Sequence, residues 1–131
     1  MNQSFLLGDL TSAFNYGSDA LRVFSVAMQV ESHNIANIST RNFIPQKELL
    51  TTGANGRGVQ LQAVLRDAPN HGFSSGFSEE IKRTQNTGSP SGTELAIEIP
   101  RLISTSSSIE ANAKTITTID EMYEYIVDMK A

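Results

Sequence analysis

The chain contains few residues that could carry out catalysis or hold a metal ion. It has two histidines, His33 and His71, and no cysteine. A metal site or a nucleophilic triad would need both histidines to meet carboxylates or a serine, at spacings that the sequence does not show. The glycine-rich stretch at 53–58 lacks the Lys-Ser/Thr pair of a phosphate-binding loop, and no nucleophile motif is present. The sequence therefore predicts no enzyme, no cofactor and no metal.

The most informative polar residues are two asparagines, Asn34 and Asn37, near the end of a predicted helix. Residues three apart on a helix share a face, so both amides would lie beside whatever that helix packs on. A buried amide costs stability unless it is hydrogen-bonded, and proteins often keep one to fix the register of packed helices. Two interpretations follow: a device that fixes register with a partner, or a solvent-facing helix end followed by a turn.

Composition and charge exclude further classes of function. The chain has 131 residues, a hydrophobic fraction of 39% and a net charge of -4, which suits one domain that does not bind nucleic acid. From Glu94 onward, seven acidic residues stand against three basic ones. The first nine residues lack a basic segment followed by a long apolar run, so we expect neither a cleavable signal peptide nor insertion into a membrane.

The first predicted element is a helix over about Thr11 to Ile38, which would position both asparagines. Its apolar residues are spaced alternately three and four apart, which is a heptad pattern with one polar member. The members are Leu21, Phe24, Met28, Glu31, Ile35 and Ile38. Ser18 or an earlier residue would cap the helix, and the segment from Ser39 to Asn42 would end it.

The middle of the chain changes to the period of a β-strand. Residues 43–50 form an extended candidate, in which Pro45 excludes a central helix position. After a turn at 51–58, the apolar Val59, Leu61, Ala63 and Leu65 alternate with Gln60, Gln62, Val64 and Arg66, which predicts a half-buried strand and, with residues 43–50, a hairpin. The segment Asp67–Gly92 is rich in Gly, Ser, Asn and Pro, and is predicted to be a long surface loop.

The last third, Thr93 to Met129, predicts a long helix. Its heptad-spaced positions are Leu95, Ile99, Leu102, Ser106, Ile109, Ala113, Ile116, Asp120, Tyr123 and Val127. Such regular spacing is typical of a coiled coil. Pro100 implies that the helix either starts near it or kinks. A helix of about 50 Å cannot bury its apolar stripe on so small a middle region. It needs the N-terminal helix, other copies of the chain, or both.

Several of these segments together resemble the bacterial flagellar rod and hook axial proteins. The segments are Ser18-Asp-Ala-Leu-Arg22, the block Asn34-Ile-Ala-Asn-Ile-Ser-Thr40 with Phe43, and Leu95-Ala-Ile-Glu98 with Glu110-Ala-Asn-Ala-Lys114. The strand candidate Gly58–Asp67 is similar to a strand of the short proximal-rod members, which the chain also matches in length. Asn42 stands where the family usually has glycine, and is the next-best residue for a left-handed turn.

The resemblance implies a structural protein with no catalytic activity. Its terminal helices would pair as a coiled coil, and its partners would be copies of itself and other rod and basal-body proteins in the shaft that spans the periplasm. It would leave the cell through the flagellar export apparatus without a cleaved signal. The block residues Asn34, Ala36, Asn37, Thr40 and Phe43 would then fix register during assembly.

These observations predict an α+β fold that is mainly α. We expect an N-terminal helical region at 1–42, a hairpin and loop at 43–92, and a C-terminal coiled-coil helix at 93–131. The leading hypothesis is a structural subunit of the flagellar rod. The alternative is a non-enzymatic coiled-coil adaptor, or an accessory protein of flagellar export, that uses the same helices to hold one partner.

Overall fold

A computed structural model of the chain describes residues 3–66 and 90–129, with side chains from residue 7 onward. It contains helix α1 (Gln3–Ala36), strand β1 (Gln46–Thr52), strand β2 (Val59–Arg66) and helix α2 (Leu95–Asp128). The predicted α+β class with a mainly helical chain is confirmed. Most of the predicted loop at Asp67–Gly92, namely residues 67–89, lies outside the described residues.

Helix α1 is longer than its sequence pattern predicted. It begins at Gln3 and not near Thr11, so Ser18 lies in the middle of the helix and does not cap it. The helix ends at Ala36, two residues before the predicted end at Ile38. Asn42 follows with a φ of 58°, the left-handed conformation that asparagine tolerates better than most residues.

Helix α2 runs through Pro100. Glu94 precedes the helix with extended backbone angles, and its carbonyl accepts the N–H groups of Ile97 and Glu98. Pro100 is therefore the sixth helical residue, beyond the first turn where proline is tolerated without loss. The start at Leu95 rules out the interpretation that the helix begins at the proline.

The two strands form an antiparallel hairpin that packs on α1. Gln46 pairs with Arg66 at one end of the ladder and Thr52 pairs with Val59 at the other, with a bulge between Leu49 and Leu50. The turn contains a short 3-10 segment, Ala54–Gly56. In β1 the inward side chains are largely polar, because Gln46 and Glu48 face the helices.

The helices run antiparallel and meet along an inner stripe on each. On α1 this stripe is Gly17, Ala20, Phe24, Ala27, Glu31 and Asn34, which are buried except for the half-buried Phe24. On α2 it is Glu98, Leu102, Thr105, Ile109, Asn112, Ile116, Ile119, Tyr123 and Ile126, which are buried or half-buried. Both stripes have heptad spacing, and both mix apolar side chains with small or polar ones.

Small residues let the helices approach closely. A Cβ atom placed on Gly17 would lie 3.1 Å from Cγ1 of Ile116, which is tighter than ordinary contact. At the far end, the hydroxyl oxygens of Thr11 and Tyr123 lie 2.6 Å apart in a hydrogen bond. Neither described helix has a stretch long and apolar enough to cross a membrane.

Candidate functional site

The richest cluster of polar contacts lies where α1, β1 and the start of α2 meet. We call it the polar junction and define it by Glu31, Asn34, Glu48, Glu98, Arg101 and Thr105. Heptad spacing places Asn34 one turn beyond Glu31 on α1, and Glu98, Arg101 and Thr105 on successive turns of α2. The antiparallel packing of the helices brings these residues together, and β1 adds Glu48 from its inward face.

Asn34 joins all three elements through one side chain. Its Oδ1 accepts the backbone N–H of Gln46 at 2.8 Å, and its Nδ2 donates to the Gln46 carbonyl at 2.7 Å. The second Nδ2 hydrogen is donated to Oε1 of Glu98 at 3.0 Å. The amide thus pairs with Gln46 as a neighbouring strand would, while it holds α2. Asn34 has 0% of its surface exposed, and its hydrogen bonds are made within its own chain.

Glu31 is the second buried polar residue of α1. Thr105 donates its hydroxyl to Oε1 of Glu31 at 2.9 Å, and only 1% of Glu31 is exposed. Burial raises the pKa of the Glu31 carboxyl above its ordinary value of 4.5. The hydrogen bond from Thr105 and the charge of Arg101 lower that pKa, whereas the charges of Glu48 and Glu98 raise it.

The junction contains three carboxylates and one guanidinium, that of Arg101. Arg101 donates from Nη2 to Oε1 of Glu48 at 2.9 Å, and the Glu48 side chain is 9% exposed. The Oε2 atoms of Glu31, Glu48 and Glu98 are all buried and receive no hydrogen bond from any described residue. A cleft of about 220 Å³ between the helices is lined by Glu31, Glu48 and Arg101 together with the apolar Phe24 and Leu50.

The turn after α1 is built from the rest of the asparagine block. Asn37 lies just beyond the helix, and its Nδ2 donates to the carbonyl of His33 at 2.8 Å. Its Oδ1 accepts the hydroxyl of Thr40 at 3.1 Å. The Phe43 ring meets the ring of His33 edge-on, with centroids 5.3 Å apart. Asn37 therefore shapes the turn and does not share the buried face of Asn34.

The chain that returns to α2 is fastened to the same turn. Gly92 donates its backbone N–H to the carbonyl of Phe43 at 3.0 Å. A Cβ atom on Gly92 would lie 3.0 Å from Cδ of Pro45, so a larger residue would push the two segments apart. The start of α2 is in this way held beside the start of β1.

The chemistry of the junction is that of a structural clamp. Its groups are carboxylates, an amide, a hydroxyl and a guanidinium, and most of their bonds join different elements. No set of three or more His, Asp or Glu side chains suited to a metal ion occurs in the described ranges. The histidine His33 is exposed and contacts Asn37 and Phe43, away from the carboxylates.

The predicted site residues are distributed over several surroundings. Of the asparagine block, Asn34 is buried, Asn37 and Phe43 are half-buried, and Ala36 and Thr40 are exposed. Four of the predicted seam residues of α2 lie on its inner stripe, namely Leu102, Ile109, Ile116 and Tyr123. Phe24 lies on the inner stripe of α1, and Leu21, Met28 and Ile35 flank it half-buried. Leu95, Ile99, Ala113 and Val127 are exposed.

The predicted heptad pattern does not contain the residues that occupy the other half of each stripe. These are Ala20 and Ala27 on α1, and Glu98, Thr105 and Ile119 on α2, each buried and each one position before a residue of the predicted pattern. A signal for them exists in the sequence, because Ala20, Ala27 and Asn34 lie seven residues apart, as do Glu98, Thr105, Asn112 and Ile119. Except for Ile119, these residues are small or polar, so the spacing of large apolar side chains does not indicate this repeat.

A comparison with known protein families gives a match over the second helix. Residues 89–129 match the family model described as flagellar basal body rod FlgEFG protein C-terminal. This match contains all of α2, and it confirms the resemblance to flagellar rod proteins. A search of curated proteins found no match to the chain.

Proposed function

We propose that this chain is a structural subunit of the bacterial flagellar basal-body rod, and that it acts in motility without catalysing a reaction. The observation that carries the proposal is the family match over α2. The asparagine block supports it from the other end of the chain, because it resembles the signature of rod and hook axial proteins. In the fold the block and α2 meet through Asn34 and Glu98.

Exposed apolar residues of α2 offer a surface for assembly. The exposed fraction is 62% for Ile103 and 63% for Val127, and the other large apolar residues exposed on α2 are Leu95, Ile97, Ile99, Met122 and Tyr125. They lie in two groups, at 95–103 and at 122–127, and clustered apolar surface on a small protein often marks an interaction site. The coiled-coil seam at Leu95, Ile99 and Val127 is therefore proposed to form with neighbouring subunits, while the inner stripes hold α1 and α2 together.

The proposal also includes the binding partners and the cellular location of the chain. The partners are copies of this chain and other rod and basal-body proteins, and the subunit reaches the periplasm through the flagellar export apparatus without a cleaved signal. The short proximal-rod members are the proposed subgroup, because the described middle region is only a two-stranded hairpin. Asn37, Thr40 and Phe43 are proposed to present the turn to a neighbouring subunit.

Motility rescue tests the function. In a strain that lacks this gene, the wild-type chain should restore swimming, whereas a chain without residues 94–131 should not. Restoration by the truncated chain, or a knockout that swims normally, would refute a rod subunit. A knockout with an intact rod and altered export would favour the adaptor of the export apparatus.

A point variant separates assembly from folding. Ile103→Ser changes a side chain that is largely exposed, so the chain should keep its circular-dichroism spectrum and thermal midpoint while rescue of swimming is lost. Ser107→Ala, one turn further along the same helix, is the matched control and should rescue fully. Full rescue by Ile103→Ser would remove the exposed side of α2 from the assembly surface.

A further inference from the structure

The polar junction has more negative charge than its contacts neutralise. Glu31 comes from α1, Glu48 from β1, and Glu98 and Arg101 from α2. Three carboxylates thus share one guanidinium, and that guanidinium is hydrogen-bonded to Glu48. The remaining strand, β2, has Arg66 as its one charged residue, and Arg66 is exposed at the end of the ladder.

Burial makes this charge costly. Glu31 and Glu98 are 1% and 5% exposed, and one oxygen of each has no donor among the described side chains or backbone. A buried carboxylate that lacks partners favours its protonated form, because a neutral acid is cheaper to remove from water than an anion.

We propose that the polar junction is a proton-operated clamp, in which closure of α1 on α2 and β1 takes up a proton on Glu31. Closure is then tighter in mildly acidic solution than at neutral pH. The inference concerns the fold of the single chain and goes beyond the role in the rod. A chain that failed to build a rod would still show it.

The direction of the pH effect follows from the raised pKa of Glu31. An acid whose pKa is higher in the folded chain stabilises the fold most below its unfolded pKa, and this contribution is lost as pH rises through the folded pKa. At a pH above both the folded and the unfolded pKa of Glu31, the equilibrium constant for closure is lower than at a pH below both. It is lower by a factor of ten for every unit that separates the two pKa values.

A paired stability measurement tests the clamp. Thermal unfolding of the full chain is followed by circular dichroism between about pH 4 and pH 8, a range that spans the ordinary glutamate titration. Glu31→Gln keeps an oxygen that can accept from Thr105 and removes the charge. The thermal midpoint of Glu31→Gln minus that of the wild type should rise with pH. The control Glu124→Gln, at an exposed site on α2, should show a difference that does not depend on pH.

A direct titration tests the same point and does not depend on the folding of Glu31→Gln. The carbon-13 resonance of the Glu31 carboxyl should titrate above the ordinary glutamate value in the wild-type chain. In Arg101→Gln the midpoint should move higher still, because the one cation of the junction is gone. A Glu31 midpoint at the ordinary value, or a midpoint unchanged in Arg101→Gln, would overturn the proposal. A Glu31→Gln difference that does not change with pH would do the same.

Discussion

At the scale of single residues, Asn34 makes three hydrogen bonds to two other elements, which no apolar side chain in its place could make. An amide has one acceptor oxygen and two N–H donors, and in Asn34 each is used on a different group or atom of β1 and α2. A leucine of similar size would fill the space but leave the backbone of Gln46 and the carboxylate of Glu98 unpaired. Position 34 therefore requires an amide for hydrogen bonding as much as for shape.

Asn34→Ala should lower the free energy of unfolding by about 3 kcal/mol, since a buried donor or acceptor left unpaired costs about 1–3 kcal/mol. Asn34→Asp should be comparably damaging at neutral pH, because it keeps the shape but sets another carboxylate against Glu98. Asn37→Ala is the control, and should cost about 1 kcal/mol or less because its contacts are exposed. Urea unfolding measures all three, and equal effects of Asn34→Ala and Asn37→Ala would contradict this account.

At the scale of elements, the sequence predicted the two helices and the hairpin correctly, but shifted half of each contact stripe by one residue. The predicted heptad positions followed large apolar residues such as Leu21, Met28 and Ile99. The actual contact uses Ala20, Ala27 and Glu98, because closely packed helices need small side chains and bury polar ones only when a partner lies opposite. Which partner lies opposite depends on long-range packing, which local periodicity does not contain.

The closeness of the helices predicts opposite effects at two glycines of α1. Gly17→Leu should lower the free energy of unfolding by about 1–3 kcal/mol, because the side chain would overlap Ile116. Gly8→Ala should raise it by about 0.5–1 kcal/mol, since nothing lies within 4 Å of the added Cβ and alanine favours a helix. Thermal unfolding distinguishes the two, and a stabilising Gly17→Leu would show that the helices do not pack as closely as described.

Pro100 gives a second test within an element. It lacks the N–H that an α-helix would direct to the carbonyl of Ala96, and its position is past the first turn. Pro100→Ala should therefore raise the free energy of unfolding by about 1–3 kcal/mol. Glu110→Ala, which removes an exposed ion pair with Lys114 further along α2, is the control and should change stability by less than about 0.5 kcal/mol. A loss of stability in Pro100→Ala would mean that the proline is needed where it is.

At the scale of the whole molecule, stability is concentrated toward the junction. Among the described residues, the largest fully buried side chains are Glu31 and Asn34, whereas the far end of the helix pair is held by half-buried residues and the hydrogen bond of Thr11 with Tyr123. An apolar groove of about 490 Å³ at that end is lined by Leu10, Met122 and Tyr125. Contacts that shield little backbone from water open first.

Native-state amide exchange should therefore show a gradient along the helix pair. Amides near residues 27–34 and 98–105 should exchange most slowly, and amides near residues 8–14 and 120–128 most rapidly. Mass spectrometry of peptides from the labelled chain measures this directly. Uniform protection along both helices would indicate that the pair opens as a single unit.

The bond between Gly92 and Phe43 has a consequence for how this architecture varies in length. Arg66 is paired with Gln46, and Gly92 is held beside Pro45, so Arg66 and Gly92 both lie beside the start of β1. Lengthening a loop whose two ends are already held together costs little, since each doubling of its length costs only about 0.6 kcal/mol. We therefore expect that an extra domain inserted between Arg66 and Gly92 leaves the geometry of the helix pair unchanged.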